Sequence, residues 1–220
     1  AFEDCESLET VAIPKSVTKI GYNVFSGCQN LKEIIIPKSV NSIGWGVLSD
    51  CPQLSQIKVE KGNQTYDSRN GCNAIIHTFD NKMIASCKTT KIPTSVTEIE
   101  YTYYKRNDII EVSIPDNIKT IGRCSFSQCY GFTKAVIPDT VNVIGDNAFS
   151  DCRGMTEVVI PNSVTIIGDH AFSSCSRLTF VIIPNSVAVI GDCAFWYCKS
   201  LDKVFIPDSV VKIGRSAFVG

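Results

Sequence analysis

The dipeptide Ile-Pro recurs along this chain at a fixed spacing, and this spacing constrains the fold more than any other feature. Ile160-Pro161 is followed 23 residues later by Ile183-Pro184 and, after the same interval, by Ile206-Pro207. A period in the twenties is typical of a solenoid, in which each repeat buries its apolar side only against its neighbours. The sequence therefore predicts a stack of similar coils.

Each repeat follows the pattern L-x-x-V-x-I-P-x-S-V-x-x-I-G-x-x-A-F-x-x-C. The V-x-I segment alternates with a period of two, as a half-buried strand does, and the proline ends the strand because it cannot donate to a β-ladder. The S-V-x-x-I segment predicts a second short extended stretch, and the glycine permits a turn after it. We expect Ala-Phe to lie on a short helical turn.

These elements predict an α/β repeat fold. It is a right-handed solenoid with a parallel β-sheet on one face and short helical turns on the other. About nine coils would fill residues 1–220 as a single solenoid domain. Both ends of the chain fall in the middle of a repeat and neither resembles a polar end cap, so we expect the chain to be part of a longer protein.

The repeat is interrupted in the middle of the chain. Residues 60–91 lose the period, and two apolar runs there, Asn73–Thr78 and Lys82–Cys87, flank an Asp-Asn pair that predicts a β-hairpin insertion. The next coil is irregular too, because Tyr104 and Arg106 replace the phenylalanine and the cysteine of the pattern. Regular coils then continue to the end of the chain.

The pattern resembles the BspA-type class of leucine-rich repeats. The resemblance extends to the segment Asn70–Lys88, which is similar to a hairpin that interrupts the repeats of relatives from oral and gut anaerobes. It implies a scaffold whose variable surface positions choose the ligand. It also implies an exported, extracellular or cell-surface location, since family members are typically surface-attached and some are adhesins. The sequence itself contains no signal, anchor or membrane-spanning segment.

Composition and motifs argue against several other functions. The net charge of −1 offers no electrostatic attraction for nucleic acid. The two histidines, His77 and His170, are predicted on different elements, and the sequence contains no phosphate-binding loop, serine-hydrolase motif or zinc-protease motif. We therefore expect neither an enzyme nor a bound cofactor.

Most of the cysteines belong to the repeat. Seven of them occupy the position three residues after the phenylalanine: Cys5, Cys28, Cys51, Cys129, Cys152, Cys175 and Cys198. We expect these thiols to be buried and reduced, because side chains stacked in parallel coils rarely reach the dihedral angle of a disulfide. Cys72 and Cys87 flank the strands of the predicted hairpin, and they form either a cross-strand disulfide or two thiols.

A row of aspartates follows the glycine in three consecutive coils, at Asp146, Asp169 and Asp192. We favour three N-caps, with each carboxylate accepting a hydrogen bond from its own helical turn. The alternative is a Ca²⁺ site, because coils about 5 Å apart would stack the carboxylates. Ca²⁺ takes about six to eight oxygen ligands and no second acidic row is evident, so we expect no metal site.

The outward face of the strands is the predicted protein-binding site. If Val158 and Ile160 point inward, as Val181, Ile183 and Ile206 should, then the alternate residues point outward. The outward apolar residues of the last four coils, with the charged residues that border them, are Val136, Val159, Phe180, Ile182, Phe205, Lys134, Glu157 and Lys203. Such a patch commonly marks an interaction site. Alternatively, the side chains only support strand pairing, although phenylalanine fits that role less well.

A second candidate surface lies beside the insertion, where aromatic and basic residues replace a regular turn. It comprises Tyr101, Tyr103, Tyr104, Lys105 and Arg106. Tyr and Arg are enriched in binding hot spots, but local repacking of an irregular repeat would also explain them. Together with the family resemblance, these features favour a non-enzymatic adhesion module that recognises a host matrix protein or a protein of another cell. The rival hypothesis is a structural spacer that projects other domains.

Overall fold

The computed structural model describes residues 1–102 and 111–220, and for residues 111–113 it describes the backbone only. The chain forms two compact units, Ala1–Tyr104 and Lys105–Gly220. Four residues of the second candidate surface, Tyr103, Tyr104, Lys105 and Arg106, lie outside the described residues. That the two units belong to a single continuous solenoid stays a prediction.

The regular elements of the described residues are short strands and one 3-10 helix. In the first unit they are β1 (Lys19–Ile20), β2 (Glu33–Ile36), β3 (Ser42–Ile43), β4 (Gln56–Val59), β5 (Tyr66–Asp67), the 3-10 helix (Arg69–Gly71), β6 (Ala74–His77), β7 (Lys82–Ser86) and β8 (Glu98–Ile99). In the second unit they are β9 (Glu111–Ser113), β10 (Thr120–Ile121), β11 (Lys134–Val136), β12 (Val143–Ile144), β13 (Glu157–Val159), β14 (Ile166–Ile167), β15 (Phe180–Ile182), β16 (Val189–Ile190), β17 (Lys203–Phe205) and β18 (Lys212–Ile213).

The second unit contains two sets of parallel strands. Strands β9, β11, β13, β15 and β17 form one sheet, in which Glu157 pairs with Lys134 on one side and with Phe180 on the other. Strands β10, β12, β14, β16 and β18 pair in the same way. Every partner lies 23 residues away, so equivalent repeat positions sit side by side, as the period predicts.

The first unit combines the same coil design with the inserted hairpin. Strand β1 pairs with β3, and β2 pairs with β4, all in parallel. The hairpin is present, since β6 pairs antiparallel with β7, and β7 in turn pairs in parallel with β8. The insertion therefore adds its strands to the short second strand of a coil. Cys72 and Cys87, at its ends, are buried free thiols rather than a disulfide.

The segments that carry Ala-Phe form turns and not α-helix, so the helical turns predicted for this face are not confirmed. Asn147 and Asp151 have left-handed backbones with φ of 54° and 58°, which an α-helix of L-residues does not accommodate. The N–H groups of Asn147, Phe149 and Asp151 donate to carbonyl oxygens of the next coil. The described residues contain no α-helix, because these N–H groups bond between coils, while the alternate ones of Ala148, Ser150 and Cys152 bond only three residues back within the turn.

Stacked phenylalanine rings form the centre of the second unit. Phe126, Phe149, Phe172, Phe195 and Phe218 follow one another with ring centroids 5.1 to 5.3 Å apart and planes within 8° of parallel. The first four rings are at most 1% exposed. Each stacked pair contributes about 0.5–1.5 kcal/mol beyond the burial of its area. The phenylalanine of the pattern therefore joins each coil to the next.

The column cysteines of the second unit line this core as thiols without a disulfide, whereas Cys5 in the first unit is only partly buried, contrary to the prediction. The thiol of Cys152 donates to the carbonyl oxygen of Phe126 in the preceding coil across 3.1 Å, and the same contact recurs along the column. Burial raises the pKa of the Cys152 and Cys175 thiols well above the ordinary value and that of Cys198 to about 12. These cysteines therefore act as small buried hydrophobes with one weak hydrogen bond each.

The glycine column is required by the close approach of consecutive coils. A Cβ at Gly168 would lie 2.7 Å from the backbone nitrogen of Asp146, and one at Gly191 would lie 2.5 Å from that of Asp169. At the same corner, Asp146 Oδ1 accepts a hydrogen bond from the N–H of Asp169, and Asp169 Oδ1 from that of Asp192, across 3.0 and 2.7 Å. The N-cap prediction is therefore wrong, because these carboxylates bind the next coil.

Candidate functional site

The outward side chains of β11, β13, β15 and β17 form one apolar surface, which we name the strand-face patch. It consists of Val136, Val159, Phe180, Ile182 and Phe205, which are 50%, 53%, 50%, 58% and 71% exposed. The alternate residues Val158 and Val181 are 4% and 1% exposed. The strand alternation therefore places the apolar residues of the patch on the exposed face, as predicted.

The prediction for the adjacent isoleucines is correct except in the last coil. Ile160 and Ile183 are 6% and 2% exposed, so they pack inward. Ile206 is 39% exposed, and its predicted burial is wrong. The physical reason is that burial in a solenoid comes from the neighbouring coils, and this coil has a neighbour within the chain on one side only.

An open groove of about 540 Å³ runs over the patch. Val159, Phe180, Ile182 and Phe205 line its apolar floor, together with neighbours from the same strands. Its margins are polar, with Glu157 at the start of β13 on one side and the amides of Asn162 and Asn185 after the proline on the other. An apolar centre with a polar rim is the usual arrangement of a protein–protein contact.

The charges at the margins are solvent-accessible. Lys134 Nζ lies 3.3 Å from Glu157 Oε1, and the two side chains are 46% and 52% exposed. Such a surface ion pair contributes at most about 1 kcal/mol to stability. Either charged group can therefore leave the ion pair and contact a partner protein instead. Lys203 is also exposed, and it occupies in the last coil the repeat position that Lys134 occupies in its own coil. Asp139 and Asp208 are exposed at the positions that Asn162 and Asn185 occupy in the coils between them.

The second candidate surface is represented by Tyr101 alone in the described residues. Its ring stacks on Trp45 with centroids 5.6 Å apart, and Trp45 lies 5.3 Å from Tyr22. Tyr22 and Trp45 are 67% and 45% exposed. Sequence reasoning missed this aromatic row, although all three residues occupy the repeat position that Asp146 occupies in the second unit.

Polar contacts around the hairpin hold the insertion in place. Arg69 donates to the carboxylate of Asp67 and to Asn81 Oδ1, each across 2.7 Å. Lys82 Nζ lies 2.9 Å from Glu98 Oε1, in the paired strand β8. Because these groups satisfy one another, the arrangement is structural and presents no open ligand site.

Two other kinds of site are not found in the part of the chain that the structure describes. No group of three or more His, Cys, Asp or Glu side chains there is placed to hold a metal ion. Nor does any helix there have the length and apolar character needed to cross a membrane.

The repeat seen in the structure is also the repeat of a known family. The model of the BspA type leucine rich repeat region matches residues 1–129 and 97–220, with six copies. The chain belongs to the BspA-type leucine-rich repeat family. Its repeats are therefore of the right-handed leucine-rich-repeat type. No protein of curated function matches the sequence significantly.

Solved structures of similar fold include two from bacteria. A leucine rich cell surface protein from Faecalibacterium prausnitzii is 29% identical with a TM-score of 0.66, and the match covers 98% of this chain and 52% of that protein. The pneumococcal vaccine antigen PcpA is 18% identical with a TM-score of 0.66, covering 90% of this chain and 54% of the antigen. The BspA-type chain thus spans about half the length of each.

Proposed function

We propose that this BspA-type chain is a non-enzymatic protein-binding module of a cell-surface protein and that the strand-face patch is its binding site. The main observation is that Phe180 and Phe205 are 50% and 71% exposed among β-branched neighbours on one sheet face. A contiguous exposed apolar surface bordered by charge is typical of an interaction site. The similarity to a leucine rich cell surface protein supports the extracellular location.

The size of the patch suits moderate affinity. Burial of a branched or aromatic side chain against a partner releases about 1.5–3 kcal/mol, so the exposed residues can support micromolar binding after the costs of association. Lys134, Glu157 and Lys203 would select the partner by charge, since electrostatic complementarity contributes more to specificity than to affinity. A host matrix protein or a surface protein of another cell is the proposed class of partner.

A structural spacer is the second candidate function. Val136, Val159 and Ile182 occupy one column of the parallel sheet, where β-branched side chains stabilise strand pairing without any ligand. The exposed aromatic rings favour binding over this alternative. If binding instead occurs in the first unit, the row of Tyr22, Trp45 and Tyr101 is the surface that we would test next, together with Tyr103, Tyr104, Lys105 and Arg106.

The experiment is capture of host matrix and serum proteins on the immobilised chain. Replacing Phe180→Ser and Phe205→Ser together should weaken binding of the captured protein at least tenfold, which is about 1.4 kcal/mol. The matched control replaces Ile166→Ser and Val211→Ser, which are 41% and 82% exposed outside the patch. Full binding by the first double variant would contradict the proposed site, and no capture above a blank surface would favour the spacer.

A further inference from the structure

We propose that the strand-face patch also docks onto the same patch of a second copy of this chain. The two copies would be related by a two-fold axis that runs along the direction in which the coils stack. This inference rests on the proposed protein-binding role of the patch and names one partner for it. The argument depends on the signs of the charges at the two margins of the patch.

Charge is asymmetric across the patch. One margin holds Lys134 and Lys203, each two residues before the outward apolar residue of its strand. The other margin holds Asp139 and Asp208, each directly after the proline that follows the strand. All four side chains are exposed. Two of the four coils of the patch therefore have a positive end and a negative end in the same order.

A two-fold axis along the stacking direction matches these charges. It places each coil opposite its own copy with the strands reversed, so that one contact surface meets itself. Lys134 then faces Asp139 of the second copy, and Lys203 faces Asp208 of the second copy. The column of Val136, Val159, Ile182 and Phe205 lies along the axis, so each of these side chains meets the same residue of the second copy.

The two middle coils of the patch, which carry β13 and β15, fit the same arrangement. Glu157 faces Asn162 of the second copy, whose amide can donate to the carboxylate. Phe180 faces the margin at Asn185, and Asn162, Asn185 and Phe180 line the same groove. Face-to-face packing keeps strand directions within about 30° of alignment, which allows a reversed pair.

The other orientation of two facing patches is unfavourable. A two-fold axis along the strands would place the first coil of the patch opposite the last. Lys134 would then face Lys203, and Asp139 would face Asp208, and such like-charge contacts disfavour a complex strongly. The charge pattern therefore selects one of the two orientations.

The contact is small. Four strands about 4.8 Å apart and roughly 20 Å long cover less than the area of about 800 Å² per partner that a standard stable complex buries. We therefore expect a weak, reversible dimer. Weak contacts of this kind gain strength where many copies are displayed together, because later contacts form at high effective concentration.

Charge reversal in the full 220-residue chain tests the arrangement. Sedimentation velocity would be recorded up to about 1 mM protein, the range in which weak dimers form. Lys203→Asp and Asp208→Lys should each weaken self-association at least tenfold, since each places like charges opposite one another. A 1:1 mixture of the two variants should associate again, as should the double variant, because opposite charges then meet. The control is Lys212→Asp, a charge reversal at an exposed residue of β18 outside the patch, and it should leave self-association unchanged.

Other results of these measurements would overturn the proposed dimer. A chain that stays monomeric, or self-association that both reversals leave unchanged, overturns the inference. Stronger association of Lys203→Asp alone would also overturn it, since that result indicates the other orientation. Loss of a captured foreign protein by the Phe180→Ser and Phe205→Ser variant, in a chain that remains monomeric, would support the proposed function while rejecting this inference.

Discussion

The backbone N–H of Asp192 donates to the carboxylate of Asp169, one coil earlier, across 2.7 Å. The contact repeats in the next coil, where the N–H of Arg215 donates to Asp192 Oδ1 across 2.8 Å. These bonds lie at the corner where glycine brings consecutive backbones together. The aspartate row is therefore a series of links between coils.

Loss of one link should destabilise the second unit. Asp169→Ala leaves the N–H of Asp192 without its acceptor, and we expect the free energy of unfolding to fall by about 0.5–1.5 kcal/mol. Asp169→Asn is the matched control, because its amide oxygen can accept the same bond. The measurement is urea denaturation followed by circular dichroism. An equal loss in both variants would mean that the charge, and not the hydrogen bond, is what matters.

The glycine column should be intolerant of alanine wherever a preceding coil is close. At Gly191 a Cβ would lie 2.5 Å from Asp169 N, whereas at Gly21 the nearest atom would be 3.7 Å away, on Val24. We expect Gly191→Ala to cost on the order of 1–3 kcal/mol through overpacking, and Gly21→Ala to be nearly neutral. Thermal denaturation of both variants checks this. Equal melting temperatures would contradict the account of close approach.

Two phenylalanines should respond differently to truncation. Phe172 is fully buried between stacked rings, whereas Phe180 is 50% exposed. Phe172→Ala should lower the free energy of unfolding by about 3–5 kcal/mol. Phe180→Ala should change it by about 0.5 kcal/mol or less, as exposed substitutions usually do. A large loss at Phe180 in chemical denaturation would show that the ring is part of the core and would remove it from the binding site.

Thiol reactivity should follow burial. Burial raises the pKa of Cys152 and Cys175 well above the ordinary value, and alkylating reagents react with the thiolate. In the native chain we expect both to label slowly and the partly exposed Cys193 to label quickly. Mass spectrometry of timed samples would show this, and equally fast labelling of all three would contradict it.

The same shifts predict alkaline destabilisation. Burial raises the pKa of Cys198 in the folded chain to about 12, above the ordinary thiol value of 9.0, so the native state holds this proton more tightly than the unfolded state. Its contribution to stability is complete below pH 9.0 and is lost as the pH rises towards about 12. Melting temperature should therefore fall over that range, and the fall should be smaller in Cys198→Ala. An identical pH dependence in that variant would contradict the assignment.

The sequence by itself determined the features that depend on period and alternation. A spacing of 23 residues places Glu157 beside Phe180 in register, because parallel coils of equal length bring equivalent positions together. Alternation within each strand then decides that Val181 is buried and Ile182 exposed. The hairpin was also predictable, since its strands and turn are local in the chain.

Only the tertiary structure decided which coil supplies each hydrogen-bonding partner. A local pattern cannot tell whether Asp169 caps its own turn or binds the next coil, because both partners are backbone N–H groups of the same kind. The Ala-Phe turns fail to become α-helices for the same reason, since every second N–H group in them bonds to a neighbouring coil. Trp45 and Tyr101 stack although the insertion separates them by far more than one period. Such contacts form between segments distant in sequence, and only the stacking of coils specifies them.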